Sequence, residues 1–239
     1  MRFSIRLFTL FAFASFLALA ACGDPESGQR KEFIEFLQTR ILDKKGSHVP
    51  ELSDNQKEAF GPYAKDYAII YDFGRQPGAQ SSFDQLKSIQ SRGNLRSLGD
   101  LASRRDDVVK AVQAIDQFQT DLDREFAAAN AAKAALKQPD DLKAVYDQAY
   151  DRDVTQTVAK MKQVLPTTKA TFQAMVKLAD FMVANKDKLE INGMIVNAKD
   201  QATLTALQPL LNDVNAKGQA LMQAAQSTLN DIAETQSGD

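Results

Sequence analysis

Residues 98–138 read LGDLASRRDDVVKAVQAIDQFQTDLDREFAAANAAKAALKQ, and this stretch decides the fold. Within it Leu101, Val108, Ile115, Leu122, Ala129 and Leu136 recur at strict seven-residue spacing, with Val112 and Phe126 joining the seam. Apolar positions that repeat in this way lie along one side of a helix and need another helix to cover them. Arg105, Gln119 and Lys133 interrupt the pattern, so the heptad is imperfect. The spacing predicts one long helix over residues 98–138, packed in a bundle. A freestanding coiled coil fits less well, because the other segments also carry apolar faces.

Toward the C-terminus, Pro139-Asp140-Asp141 opens a further helix, with proline early and acids at the positive end of the helix dipole. Leu142, Val145, Ala149, Val158, Met161 and Leu165 supply its apolar face. Pro166-Thr167-Thr168 restarts the chain as a helix carrying Phe172, Met175, Ala179, Met182 and Leu189. The period then changes. LEINGMIV, residues 189–196, is a hairpin candidate, because Asn192-Gly193 favours a type I′ turn. Two strands alone are marginally stable, so the hairpin should fold over the end of the bundle. Asp200 can cap a last long helix, bent early by Pro209, with Leu204, Leu207, Leu211, Val214, Leu221, Ala225 and Ile232 on one stripe. The tail after Glu234 is polar.

Toward the N-terminus, Arg92-Gly93-Asn94 breaks the chain after a short helical piece, and residues 74–82 (GRQPGAQSS) read as a loop by composition. Arg92, Arg96, Arg104 and Arg105 form a local basic cluster, read as a solvated face, with acidic headgroups or polymer as its functional alternative. Ser53 or Asp54 can cap a helix that kinks at Gly61-Pro62. Beyond the kink Tyr63, Tyr67 and Tyr71 recur every four residues and line one helical face, with Phe60 and Phe73 completing an aromatic patch. The plain reading is packing; the functional one makes Tyr63, Tyr67 and Tyr71 a candidate ligand or partner face. A first helix over residues 29–44 presents Phe33, Ile34, Phe36, Leu37 and Ile41. Residues 46–50 end it, and His48, the only histidine, reads as a solvated loop residue.

Residues 1–21 combine Arg2 and Arg6 with an apolar run from Leu7 to Ala21 that closes on small residues, the grammar of a secretory signal peptide that is removed. The run of about fifteen residues falls short of the roughly 20 that a membrane span needs. Leu19-Ala20-Ala21-Cys22 looks like the lipobox of bacterial lipoproteins, in which the thiol is acylated and the cysteine becomes the mature N-terminus. Ordinary cleavage would instead leave the only cysteine as a free thiol with no partner. The resemblance implies covalent lipid on Cys22, palmitate included. One acyl chain anchors marginally and several firmly, at about 0.8 kcal/mol per buried methylene. In lipoproteins of this kind an aspartate after the cysteine signals retention in the inner membrane, so the resemblance, with Gly23 there, implies the periplasmic face of the outer membrane, and Asp24 keeps the inner membrane as the alternative. Residues 22–28 then form the lipidated cysteine and a polar tether of at most roughly 20 Å, and residues 29–239 a single helical-bundle domain. Without Arg2 and Arg6 the mature chain has 27 basic against 31 acidic residues, net −4. That balance argues against a nucleic-acid partner and against a polybasic grip on anionic lipid.

No catalytic constellation emerges. The chain has no Gly-x-Ser-x-Gly, no phosphate-cradling glycine loop, no His-Glu-x-x-His and no zinc spacing. Asp106-Asp107, Asp121 with Asp123, Asp140-Asp141 and Asp151 with Asp153 are paired acids, read as caps and solvated faces rather than two carboxylates across a cleft. The run from Asp151 starts like a calcium loop but lacks the glycine and the later ligands. Met161, Met175, Met182 and Met222 read as core filler. No metal site and no cofactor beyond the covalent lipid are expected.

Several stretches carry a family resemblance. SGQRKEFIEFLQ (27–38), LSDNQKEAFGPY (52–63) running on to DYAI (66–69), ALKQPDDLK (135–143) with YDQA (146–149), and the Asn192-Gly193 hairpin resemble the YiaF-like lipoproteins of Gram-negative bacteria, a domain-of-unknown-function family. The likeness spans most of the mature chain apart from residues 74–98. It implies an envelope lipoprotein and brings no catalytic residues with it. The resulting expectation is an all-α bundle of about five or six helices with one small β-hairpin in the C-terminal third. Its expected role is a non-enzymatic, membrane-anchored module for envelope maintenance or for binding another envelope protein. A binding protein for a small hydrophobic or aromatic ligand is the alternative, and a cell-wall enzyme using carboxylates the least favoured.

Overall fold

The computed structural model describes residues 25–46, 48–91 and 96–237; the expected signal peptide, Cys22 and Arg92 lie outside them. Helix α1 (Pro25–Phe36) starts four residues before the expected Gln29, so most of the expected tether is helical. Proline suits a first helical position because its φ is already helical and it has no N–H to leave unsatisfied. Glu26 follows at the positive end of the dipole. Long-range partners hold the first two turns: the Tyr63 hydroxyl donates to Glu26 at 3.1 Å, and Arg30 meets Asp141 at 3.2 Å. The helix runs on through a wider π-helical stretch (Leu37–Leu42).

Helix α2 (Asp54–Phe60) opens on a capping box in which the Ser53 hydroxyl accepts from the Gln56 N–H and the Gln56 side chain accepts from the Ser53 N–H. Gly61, at φ 53°, turns the chain into α3 (Tyr63–Phe73). Helix α4 (Pro77–Ser91) occupies most of what composition marks as a loop. The reason lies outside the segment and belongs to the site described below.

The heptad stretch is helical but divided. Helix α5 (Leu98–Ser103) ends where Arg104 leaves helical geometry at φ −106°, ψ 23°, and α6 (Arg105–Ala134) carries the pattern on but stops four residues short of the expected end, leaving Leu136 beyond the helix. The arginines at this break face acids, Arg104 with Asp107 at 3.1 Å and Arg105 with Asp180 at 2.6 Å, so they do not form a free basic patch. Helix α7 (Asp140–Tyr150) passes through a π-helical stretch (Asp151–Thr155) into α8 (Gln156–Ala184), which continues through Pro166 instead of restarting there. One turn on, Thr171 donates both to the Thr167 carbonyl and, at 3.1 Å, to the Lys217 carbonyl of the last helix, tying the two rods together. Strands β1 (Leu189–Asn192) and β2 (Ile195–Ala198) pair antiparallel with Asn192 opposite Ile195. The turn is therefore Gly193-Met194, with Gly193 at φ 60° in the position that a type II′ turn gives to glycine, not the expected Asn-Gly pair. Asp200 accepts from the Thr203 N–H at 2.8 Å and caps α9 (Gln201–Ser237), which also runs through its proline, Pro209. The outcome is an all-α bundle with one hairpin, cut more finely than the apolar pattern suggests.

Two cores share α6. One joins Phe33, Phe60, Tyr63 and Tyr67 to Leu122 and Ala129 of α6 and to Leu142, Tyr146 and Val154 beyond it. Its aromatic rings meet at centroid distances of 5.1–6.4 Å, the range in which edge and offset contacts stabilise beyond their area. The other core gathers Leu98, Leu101, Val108, Leu178, Met182, Leu189 and Leu207, so the hairpin does fold over this end. Of the seam, Leu101, Val108, Ile115, Leu122 and Ala129 are buried. Met182 is core, but Met161 and Met222 are exposed, so the methionines do not act as one class of filler.

The end of the first helical rod is fixed from far away. The Arg152 guanidinium donates to the carbonyls of Ile41, Leu42, Lys44 and Gly46. These are the orphan acceptors at the negative end of that rod, where a cation is favoured. We expect Arg152→Met to cost about 2–3 kcal/mol, the scale of charged hydrogen bonds. Arg152→Lys should restore little, because an ammonium cannot span a fork of carbonyls. Urea unfolding measures both, and a lysine variant as stable as the parent would contradict the fork argument.

Candidate functional site

An apolar groove of about 430 Å³ opens where the last turn of α3, the start of α4, the middle of α6 and the α7–α8 junction meet. Its existence depends on α4, and α4 depends on acids from α6. The first turn of α4 has N–H groups without helical partners. Glu125 accepts from the Ala79 N–H at 3.1 Å, and Asp121 accepts from the Ser82 hydroxyl at 3.1 Å. A Cβ on Gly78 would lie 2.7 Å from Glu125 Oε1 and 3.1 Å from Asp121 Cγ, so the glycine is what lets the acids approach. A Pro-Gly sequence that composition marks as a loop is thus a helix start capped by another helix. Hydrogen bonding from Gln117 and Ser82, with Arg124 at 2.7 Å, holds the Asp121 carboxyl below its ordinary range despite burial.

The groove floor includes Ile70, Phe73 and Leu122, all buried, with Phe118 beside them and Phe83 and Met161 exposed at the lip. Two carboxylates line it, Glu125 at 8% exposure and Asp153 at 6%. The cation in its lining, Arg75, lies with Cζ 3.7 Å above the Tyr71 ring centroid and donates to the Tyr71 carbonyl at 2.9 Å. A second groove of about 650 Å³ lies on the other side of Phe73, Gln76 and Glu125, walled by Lys65, Arg124 and the small residues Ala128 and Ala132.

The three tyrosines do not form one open face. Tyr63 and Tyr67 are 4% and 1% exposed, and their hydroxyls donate to Glu26 and, at 2.6 Å, to the Pro50 carbonyl. Their face meets α1, whose Phe33 stacks on Tyr63 and whose Phe36 meets Tyr67 edge-on. Tyr71, half-buried one turn further on, is the one that lines the groove. Cys22 lies outside the described residues, and His48 is exposed. Among the paired acids, Asp121 and Asp153 are buried, which departs from their reading as solvated faces, whereas Asp106, Asp123 and Asp141 meet Arg105, Lys162 and Arg30. Glu125, Arg75 and Phe118 are the site residues that sequence reasoning misses. A usable signal exists for Glu125: with Asp121 it flanks seam residue Leu122 on α6, where polar side chains become buried. Among the described residues no group of three His, Cys, Asp or Glu side chains could hold a metal ion, and no helix is long and apolar enough to cross a membrane.

Comparison with known proteins sets this architecture in a family. The model of the family described as "Protein of unknown function (DUF3053)" matches residues 10–229, and the chain belongs to that family. It is similar to the uncharacterized protein YiaF of Escherichia coli strain K12, 29% identical over 196 residues that cover 81% of this chain and 83% of that one. YiaF of Shigella flexneri shows the same identity over the same shares. No solved structure matches the chain.

Glu125→Ala should leave the first turn of α4 uncapped, cost about 1–3 kcal/mol, and strip hydrogen-exchange protection from α4 while α9 keeps its own. Unchanged α4 protection would refute the remote cap. A second expectation concerns alkaline pH. Burial pushes the Tyr150 phenol up from 10 to about 12, and raises Tyr67 and Tyr146 further, so the folded state prefers them neutral. Their contribution is therefore full below pH 10 and is lost as pH rises from there through 12 and beyond. Phenolate absorbance of these residues should appear together with unfolding, and a smooth titration near pH 10 in the folded protein would contradict their burial.

Proposed function

We propose that this member of the DUF3053 family is a lipid-anchored protein of the bacterial envelope and works as a non-enzymatic interaction module, at the periplasmic face of the outer membrane. The observation that carries the interaction reading is the hairpin. It leaves Ile191, Met194 and Ile195 exposed at 37%, 68% and 64% on a two-stranded ribbon whose inner residue Leu189 is core. Scattered exposed apolar residues are ordinary, but three large ones gathered at the tip of one hairpin support an interaction surface there.

The N-terminus supports the same reading from the other end. Helix α1 begins three residues after Cys22, so lipid on that cysteine would hold the domain within about 10 Å of its leaflet. The first two turns of α1 are tied to Tyr63 and to Asp141 at the start of α7, beside the C-terminal end of α6. The hairpin packs with Val108 near the opposite end of that helix. Val108 and Ala129 are roughly 30 Å apart along the helix axis. An anchored domain would thus present its apolar hairpin well away from the anchored end, where a protein partner is the natural occupant.

The groove beside Tyr71 favours a second reading, a binding protein for a small hydrophobic or aromatic ligand. Its size falls within the range of small-molecule sites.

A photo-crosslinking residue at Met194, compared with one at exposed Gln219 on α9, tests the first reading in cells. The expected result is one reproducible protein adduct from position 194, and its loss together with membrane association on Cys22→Ser. Retention of the serine variant in the membrane fraction, or turnover of a cell-wall or lipid substrate by the purified protein, would overturn the proposal.

A further inference from the structure

We propose that the groove beside Tyr71 takes an organic cation, an amine carried on an aryl or alkyl body; this rests on the ligand-binding reading above. The apolar part follows from the lining. Ile70, Phe73 and Leu122 form a buried floor, Phe118 a wall, and Phe83 and Met161 an exposed lip. A body of one aromatic ring and a short chain fits about 430 Å³ with room to spare.

The charge follows from what else lines the groove. Glu125 and Asp153 are both more than nine-tenths buried, and both belong to the lining. Arg75 opposes them from an exposed position, with its guanidinium laid over the Tyr71 ring and one N–H spent on the Tyr71 carbonyl. Arg124, the other guanidinium nearby, meets Asp121 at 2.7 Å and Glu125 at 3.7 Å, and it lines the neighbouring groove. The lining therefore carries two carboxylates against one rim guanidinium. An anion entering it would face like charge in a poorly solvated site, where Coulomb interactions are strong. A neutral apolar ligand would further lower the polarity around two carboxylates that are already nine-tenths buried and return nothing for it. A cation offsets that cost and gains further from the aromatic wall, because ring faces attract positive charge.

Three probes of matched shape separate charge from greasiness: 4-phenylbutylamine, 4-phenylbutanol and 4-phenylbutyrate. They would be titrated into the full chain in zwitterionic lipid discs, with 3-fluorotyrosine in place of tyrosine and the Tyr71 resonance assigned by Tyr71→Phe. The amine should shift the Tyr71 signal saturably and leave the core Tyr146 signal in place. The alcohol should bind at least tenfold more weakly, and the carboxylate should give no shift. Asp153→Asn should bring the amine to the affinity of the alcohol, and Thr157→Trp, which fills the groove, should abolish both. Should Asp153→Asn fail to fold, the three probes on the parent chain still decide the matter. Equal binding of alcohol and amine would overturn the cation while leaving the groove a ligand site. No Tyr71 shift with any of the three would overturn both.

Discussion

The seam of α6 is the constraint on which the rest of the molecule depends. Its seven-residue apolar spacing keeps one side of a thirty-residue helix buried from end to end, and no single neighbour covers that length. The helix packs most extensively against α4 and α8, with α3 and α5 completing its cover, while its side chains belong to one core with residues of α1, α3 and α7 and to the other with residues of α5, α8, α9 and the hairpin. Two cores that would each be small are thereby joined into one body, and a side chain lost from the seam would be felt by both. The hairpin, too short to stand alone, is stable because this seam and Leu207 of α9 give Leu189 somewhere to be buried.

Charged side chains act mainly where helices end. Arg152 gathers the orphan carbonyls behind α1, Glu125 meets an orphan N–H of α4 while Asp121 holds its Ser82 hydroxyl, and Asp200 caps α9. Each places a charge where the helix dipole favours it. In the first two cases the charge comes from a distant element, so helix ends and tertiary packing become one cooperative problem. The groove is a by-product of that solution. The acids that hold α4 in place are buried in doing so, and Glu125 reaches the cavity wall where Asp153 joins it.

The same arrangement gives the two ends of the domain different surfaces. The end where α1 packs is dense with aromatic contacts and with hydrogen-bonded tyrosine hydroxyls. The hairpin end keeps large apolar side chains in solvent. Between them lies the groove, lined from α3, α4, α6 and the α7–α8 junction.

Sequence alone determined whatever depends on neighbours along the chain. The heptad seam, the capping box at Ser53, the Asp200 cap and the existence of a hairpin at residues 189–198 follow from local periodicity and from donors and acceptors a few residues apart. The divided tyrosine face, the helical α4, the break at Arg104 and the unbroken run through Pro166 and Pro209 do not. Tyr63 and Tyr67 are buried only because Phe33 and Phe36 come to lie on them, and Pro77-Gly78 is helical only because Glu125, 46 residues away from Ala79, supplies its cap. Only the tertiary structure decided these, because the groups that satisfy each backbone end and each apolar face come from elements whose proximity no local pattern encodes.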